Sequence, residues 1–267
     1  MFSALRNDVR EMLREQVEYR ELLYSVTWRD LILRYKQTVM GFGWAVFMPV
    51  MNTIIFTVIF TRVARLDTGI PYPLFAFAGL LPWNFFASTL KFSATSLIGN
   101  TELVTKVYFP REVFPFSATL VALVDFAVAS VVLVALMIYY GVGVNWTILF
   151  LPVVLLVLII FTAGMSLLLA MGNLFYRDVK YLFEIVLTIW MFGTSVVYPV
   201  DKVGGTLGAL LKLNPMTPII EAFRSITLYG ALPPAGPFLY ATVVSVLVLA
   251  LGWLAFHRAE FRFAESV

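Results

Sequence analysis

Six apolar runs, near residues 40–61, 74–97, 114–140, 147–171, 181–199 and 238–256, govern what this chain can become. Each approaches the ~20 helical residues needed to cross a hydrocarbon core. The runs are continuous rather than alternating, which excludes a β-barrel pattern. Inside lipid every backbone polar group must be satisfied within its own segment, and that leaves a bundle of helices. Composition agrees: 61% of the 267 residues are apolar and 13% charged, with a mean hydropathy of +0.89, whereas soluble domains sit near one half and one quarter. The expected fold is an all-α polytopic membrane protein with six transmembrane helices over 40–267. An amphipathic N-terminal region, 1–39, precedes them.

Basic residues set the expected orientation. Alternate connecting segments hold Arg6, Arg10, Arg14, Arg20, Arg29, Arg34 and Lys36, then Lys106 and Arg111, then Arg177 and Lys180, then Arg258 and Arg262. The opposite side holds only Arg62, Arg65, Lys202, Lys212 and Arg224. Both termini are therefore expected in the cytoplasm, and the charged start argues against a cleaved signal peptide.

In "VTWRDLILRYKQ", residues Trp28, Leu31, Ile32 and Tyr35 recur at helical spacing, with Arg29, Asp30, Arg34 and Lys36 between them. The pattern predicts an amphipathic interfacial helix that packs on the bundle and offers its cations to anionic headgroups. Between the fifth and sixth runs, Gly204, Gly205, Pro215 and Pro218 break a semi-apolar stretch into pieces too short to span. Such pieces predict re-entrant external helices, which persist at membrane depth only when buried in protein or lining a cavity.

Much chemistry is absent. No cysteine occurs, and the one histidine, His257, reads as a solvated residue just past the last run. No Gly-Lys pair occurs, so no P-loop cradles a nucleotide. Neither a serine-hydrolase elbow nor a zincin motif is present, so the chain is not expected to be an enzyme or to hold a metal or cofactor. Lys91 and Asp125 are the clear charges within runs, and an intramembrane charge is a functional suspect by default. Lys91 lies roughly 12 Å and Asp125 roughly 18 Å from the cytoplasmic ends of adjacent spans, so a Lys91–Asp125 contact is expected. Aromatic residues such as Phe42 and Trp44 in the first run either stack on sugar rings or fill core and interface.

The polar break "LVTKVYFPREVFPFS" (103–117) reads as a cytoplasmic loop between the second and third spans. Together with "RDLILRYKQTVMGFGWAVFMPV" (29–50), "NTELVTKVYFPREVFP" (100–115), "NLFYRDV" (173–179) and "NPMTPIIEAFR" (214–224), it resembles one family along essentially the whole chain. That family is the membrane permease of type-2 ABC exporters of polysaccharide and polyol phosphate, such as O-antigen, capsule and teichoic acid. Related permeases that export drugs or lipids are the alternative.

The resemblance implies a permease homodimer in the cytoplasmic (inner) membrane, paired with two copies of a separate ABC ATPase that binds ATP and Mg. The substrate is then a glycan or polyol phosphate on a polyprenyl pyrophosphate carrier, with no nucleic acid involved. It implies a pore lined by the first and fifth spans, with Tyr35, Phe42 and Trp44 as wall candidates and Arg34 and Lys36 steering the pyrophosphate. It also makes the 100–112 loop the coupling element. Glu102, Lys106 and Tyr108 would touch the ATPase, and Phe109, Pro110, Arg111 and Glu112 complete the loop, the last three turning the chain into the third span. Proline suits that turn because it cannot continue a helix ladder.

Overall fold

The computed structural model describes residues 14–36, 38–63, 68–106, 109–200 and 203–263, all of its regular structure helical. Its elements are α1 (Arg20–Tyr35), α2 (Gly43–Val58, extended by a π-helical turn Ile59–Val63), α3 (Tyr72–Ser96), α4 (Thr101–Lys106), α5 (Val113–Tyr139), α6 (Leu151–Phe175), α7 (Val179–Phe192), α8 (Gly205–Leu213), α9 (Met216–Thr227) and α10 (Ala235–Ala259). Five of the six expected spans are helices long and apolar enough to cross a membrane.

Helix α3 is the central post: 78% of its apolar window is buried, against 11% for α2 and 17% for α10. Leu74, Phe77, Leu80, Leu81, Phe86 and Leu90 are nearly inaccessible, packed among α5, α6 and α9. Helices α6 and α10 approach most closely at two glycines. A Cβ on Gly164 would lie 2.6 Å from the Leu249 nitrogen, and one on Gly252 would lie 2.7 Å from the Gly164 carbonyl oxygen. Small residues at a crossing let two backbones meet, which is how helices adhere where lipid is as apolar as leucine.

The fifth expected span, 181–199, differs from its prediction. Helix α7 has 14 residues, about 21 Å at the helical rise, and stops at Gly193. The following turn runs through Val196, Val197 and Val200, all buried. Continuous hydrophobicity could not reveal this break, because what permits it lies elsewhere in the chain. Arg224 on α9, 3% exposed, donates Nη1 and Nη2 to the Ser195 and Val196 carbonyls and Nε to the Phe75 carbonyl. Its guanidinium also stacks 3.7 Å from the Phe75 ring centre. Asn214 donates to the Gly193 carbonyl (2.8 Å) and to the Thr194 hydroxyl (2.7 Å), and accepts from the Trp190 indole (3.0 Å). Tyr72 donates to the Val197 carbonyl (2.7 Å). These side chains bond the carbonyls of the turn that follows α7, while the Thr194 and Tyr198 hydroxyls donate to the Trp190 and Phe192 carbonyls in its last turn, and irregular backbone is tolerated inside the bundle. Sequence counting treated Arg224 as an ordinary charge of the external segment; the structure makes it an internal rivet.

Gly79 on α3 is shaped by the same junction. A Cβ there would fall 2.0 Å from Arg224 Nη2 and 2.3 Å from the Val196 oxygen. Arg224→Leu should therefore destabilise the fold by at least about 3 kcal/mol, since several charge-assisted bonds are lost and buried carbonyls are stranded. Gly79→Ala should cost about 1–3 kcal/mol by overpacking. Because both act on one junction, the double variant should cost less than the two together, as read by unfolding in mixed micelles.

Candidate functional site

Helix α1 has the expected helical pattern, but its faces are turned the other way. Trp28, Ile32 and Leu33 point out of the bundle at 42–64% exposed, while Val26 and Leu31 are buried and Arg29, Asp30 and Arg34 reach polar partners on the bundle. Arg29 pairs with Asp30 (2.7 Å) and donates to Asn100 (2.8 Å), and Asp30 accepts from Ser117 on α5 (3.0 Å). One turn on, Arg34 pairs with Asp125 of α5 (2.7 Å) and donates to Ser88 of α3 (2.9 Å). Tyr35 donates its hydroxyl to the other Asp125 oxygen. The expectation that these arginines offer their charge to headgroups is corrected: both are occupied within the protein. Arg29, Asp30 and Arg34 turn to the bundle, where polar partners exist.

The expected Lys91–Asp125 contact is corrected as well. Asp125 is held by Arg34 and Tyr35, and among the described residues no ion pair joins it to Lys91. Lys91 is exposed and lines the same cleft, a space of about 430 Å³ between α1, α2, α3 and α5. Arg34, Tyr35, Trp44, Asn52, Asn84 and Asp125 also line it. A second space of about 340 Å³ adjoins it toward Asn100, and Arg34 and Phe92 border both. The Arg34 guanidinium stacks 4.0 Å from the Phe92 ring centre, so this pair forms the partition. Burial and the Asp125 bond raise the Tyr35 phenol above its ordinary pKa, keeping it a neutral donor. Arg34, Lys91, Asn52 and Asn84 place cations and amides on the cleft wall beside the Asp125 carboxylate.

The other wall candidates lie at the mouth of this cleft. Phe42 stacks on Tyr35 with ring centres 4.2 Å apart, Trp44 meets Phe47 edge-on at 5.6 Å, and Lys36 is exposed.

The coupling candidates divide by burial. Glu102 and Lys106 form an i,i+4 pair (3.5 Å) on α4, with side chains 86% and 71% exposed, while Val104 turns inward. Phe109, Pro110 and Glu112 are buried, and Arg111 donates to Glu260 and to the Val104 carbonyl. Tyr108 lies outside the described residues. His257, expected to be solvated, is instead largely covered and sits beside Glu112 at 3.3 Å. Glu112, His257 and Glu260 are the residues among those described that are placed to share a metal ion.

Asp125→Asn should cost about 3 kcal/mol by leaving Arg34 without its carboxylate, whereas Lys91→Gln should change stability little. Arg34→Gln combined with Asp125→Asn should recover part of the loss, measured by unfolding in mixed micelles.

The chain is similar to known proteins along nearly its whole length. It is 32% identical over 259 residues to the O-antigen export system permease protein RfbA of Myxococcus xanthus, covering 96% of this chain and 99% of that one. Two Klebsiella pneumoniae proteins described by the same name are each 29% identical, covering 92% of this chain and 94% of theirs. Residues 21–228, from α1 through α9, match the ABC-2 type transporter family. With that match spanning most of a polytopic helical bundle, the chain belongs to the ABC-2 type transporter family.

Proposed function

We propose that this chain is the channel-forming permease subunit of an exporter that carries a lipid-linked polysaccharide or polyol phosphate across the cytoplasmic membrane. A separate ATP-binding subunit supplies the work. The observation that carries this reading is the end-to-end similarity to O-antigen export permeases, with 99% of one relative covered. In this reading both termini, α4 and the α10 end face the cytoplasm, and α8 and α9 form the external side. Two permeases enclose the path, and among the exposed apolar faces of the described helices two are assigned to that contact. One is on α2 (Met48, Met51, Ile54, Ile55, Val58) and the other on α7 (Tyr181, Leu182, Ile185, Val186, Ile189). A polyprenyl pyrophosphate carrier would meet the exposed Lys91 at the cleft of the α1 end, where Arg34 is already paired with Asp125.

ATP and Mg belong to the partner, which docks on α4. A nucleotide can shift a pore only through contacts that differ between its states, so the docking surface has to be rigidly tied to the spans. Helix α4 meets that need: Val104 and Phe109 anchor it in a core shared with α1, α5, α6 and α10.

Deleting the gene should remove the exported glycan from the cell surface and leave its lipid-linked precursor inside the cell. Unchanged surface glycan would overturn the reading. Lys106→Glu should abolish co-purification of the ATPase or uncouple hydrolysis from export. The exposed Glu102–Lys106 pair is worth at most about 0.5 kcal/mol, so the variant should fold normally and its defect should report docking alone.

A further inference from the structure

A second polar cluster at the α1 end of the bundle takes no part in the cleft. Glu112 precedes α5 and is 1% exposed. His257 lies in the last turn of α10, and Glu260 follows in the short 3₁₀ turn Glu260–Arg262. His257 Nδ1 is 3.3 Å from Glu112 Oε1 and 3.9 Å from Glu260 Oε2. One ligand atom from each of the three falls within 4.8 Å of the others.

Three observations separate this cluster from an ordinary ion pair. The first is distance. A charge-assisted N–H···O bond closes to about 2.7–2.9 Å, yet the tightest contact here is 3.3 Å. Nitrogen and oxygen ligands at about 2.0–2.1 Å from a tetrahedral ion lie about 3.3–3.4 Å from one another, a spacing that His257 and Glu112 already have and that Glu260, at 3.9 Å from His257, reaches by a small inward shift. The second is satisfaction. The Glu112 carboxylate points into the cluster through Oε1, but its Oε2 is buried with no hydrogen-bond partner among the described residues. A buried carboxylate oxygen left that way is costly.

The third is charge and orientation. Arg111 donates its backbone N–H (2.8 Å) and its Nη1 (3.2 Å) to Glu260 Oε1, leaving Oε2 directed at His257. Metal-ligating carboxylates are commonly oriented in this way by an outer hydrogen bond. Arg111 balances the Glu260 carboxylate, and Glu112 meets His257.

We infer that Glu112, His257 and Glu260 form a site for a divalent transition metal ion of the zinc or manganese type, held by one nitrogen and two carboxylates. The ion would clasp the exit of the α4 loop to the end of the last span, two segments separated by 145 residues. This inference stands on the cluster alone and does not rest on the exported substrate.

The test uses the full-length protein in detergent micelles, without a polyhistidine tag, stripped with EDTA and dialysed against Zn²⁺. The wild type should retain about one zinc per chain and melt at a higher temperature with Zn²⁺ than without. His257→Gln and Glu112→Gln should each weaken retention at least tenfold. Because the chain has a single histidine, ¹⁵N-histidine labelling reads the site directly in the wild type. Zn²⁺ should shift the Nδ1 resonance and fix the proton on Nε2, a result that requires no variant to fold. Zinc retention no greater than in His257→Gln, or a histidine spectrum indifferent to Zn²⁺, would overturn the site and leave a histidine–carboxylate contact only.

Discussion

Three carbonyl oxygens, those of Phe75, Ser195 and Val196, converge on the guanidinium of Arg224, and much of the bundle is arranged around that meeting. A helix that stops inside an apolar bundle leaves carbonyls that water cannot reach, each a cost of several kcal/mol if unmet. The planar fork of arginine serves several acceptors at once, where a lysine offers a point charge. With that cation carried inward by α9, the turn that follows the 14-residue α7 has its buried carbonyls bonded. Gly79 must then lack a side chain, and α9 itself must be buried on nearly every side. Asn214 and Tyr72 complete the same task on neighbouring atoms.

A similar logic sets the N-terminal helix. An amphipathic helix beside a membrane can bury either face, because lipid receives one and polar protein groups receive the other. Here Asp125, Ser88, Asn100 and Ser117 supply the partners, so the charges of α1 turn inward. The result is a polar seam between α1 and the bundle that ends in the cleft at Asp125. Lys91 adds a cation at its rim.

What the sequence disclosed, and what it withheld, follows from the range of each interaction. Long apolar runs report spans directly, so α2, α3, α5, α6 and α10 were legible from hydropathy. The period of Trp28, Leu31, Ile32 and Tyr35 gave a helix, but period carries no information about which face meets protein. Depth along the spans brought Lys91 and Asp125 to similar levels, yet it could not reveal that Arg34 reaches in from a different element. The end of α7 was hidden for the same reason: its cause, Arg224, is 28 residues from the carbonyl of Val196. The pairing of Glu112 with His257 joins residues too far apart for any local pattern to signal.

Helix α2 carries its own mechanical consequence. With only Pro49 and Thr53 buried along its length, it is fastened chiefly at its ends: Phe42 rests on Tyr35 below, and Phe60 on Tyr72 above. Because Trp44, Met48, Pro49 and Asn52 of this helix form one wall of the cleft, the width of the cleft is set by where α2 stands.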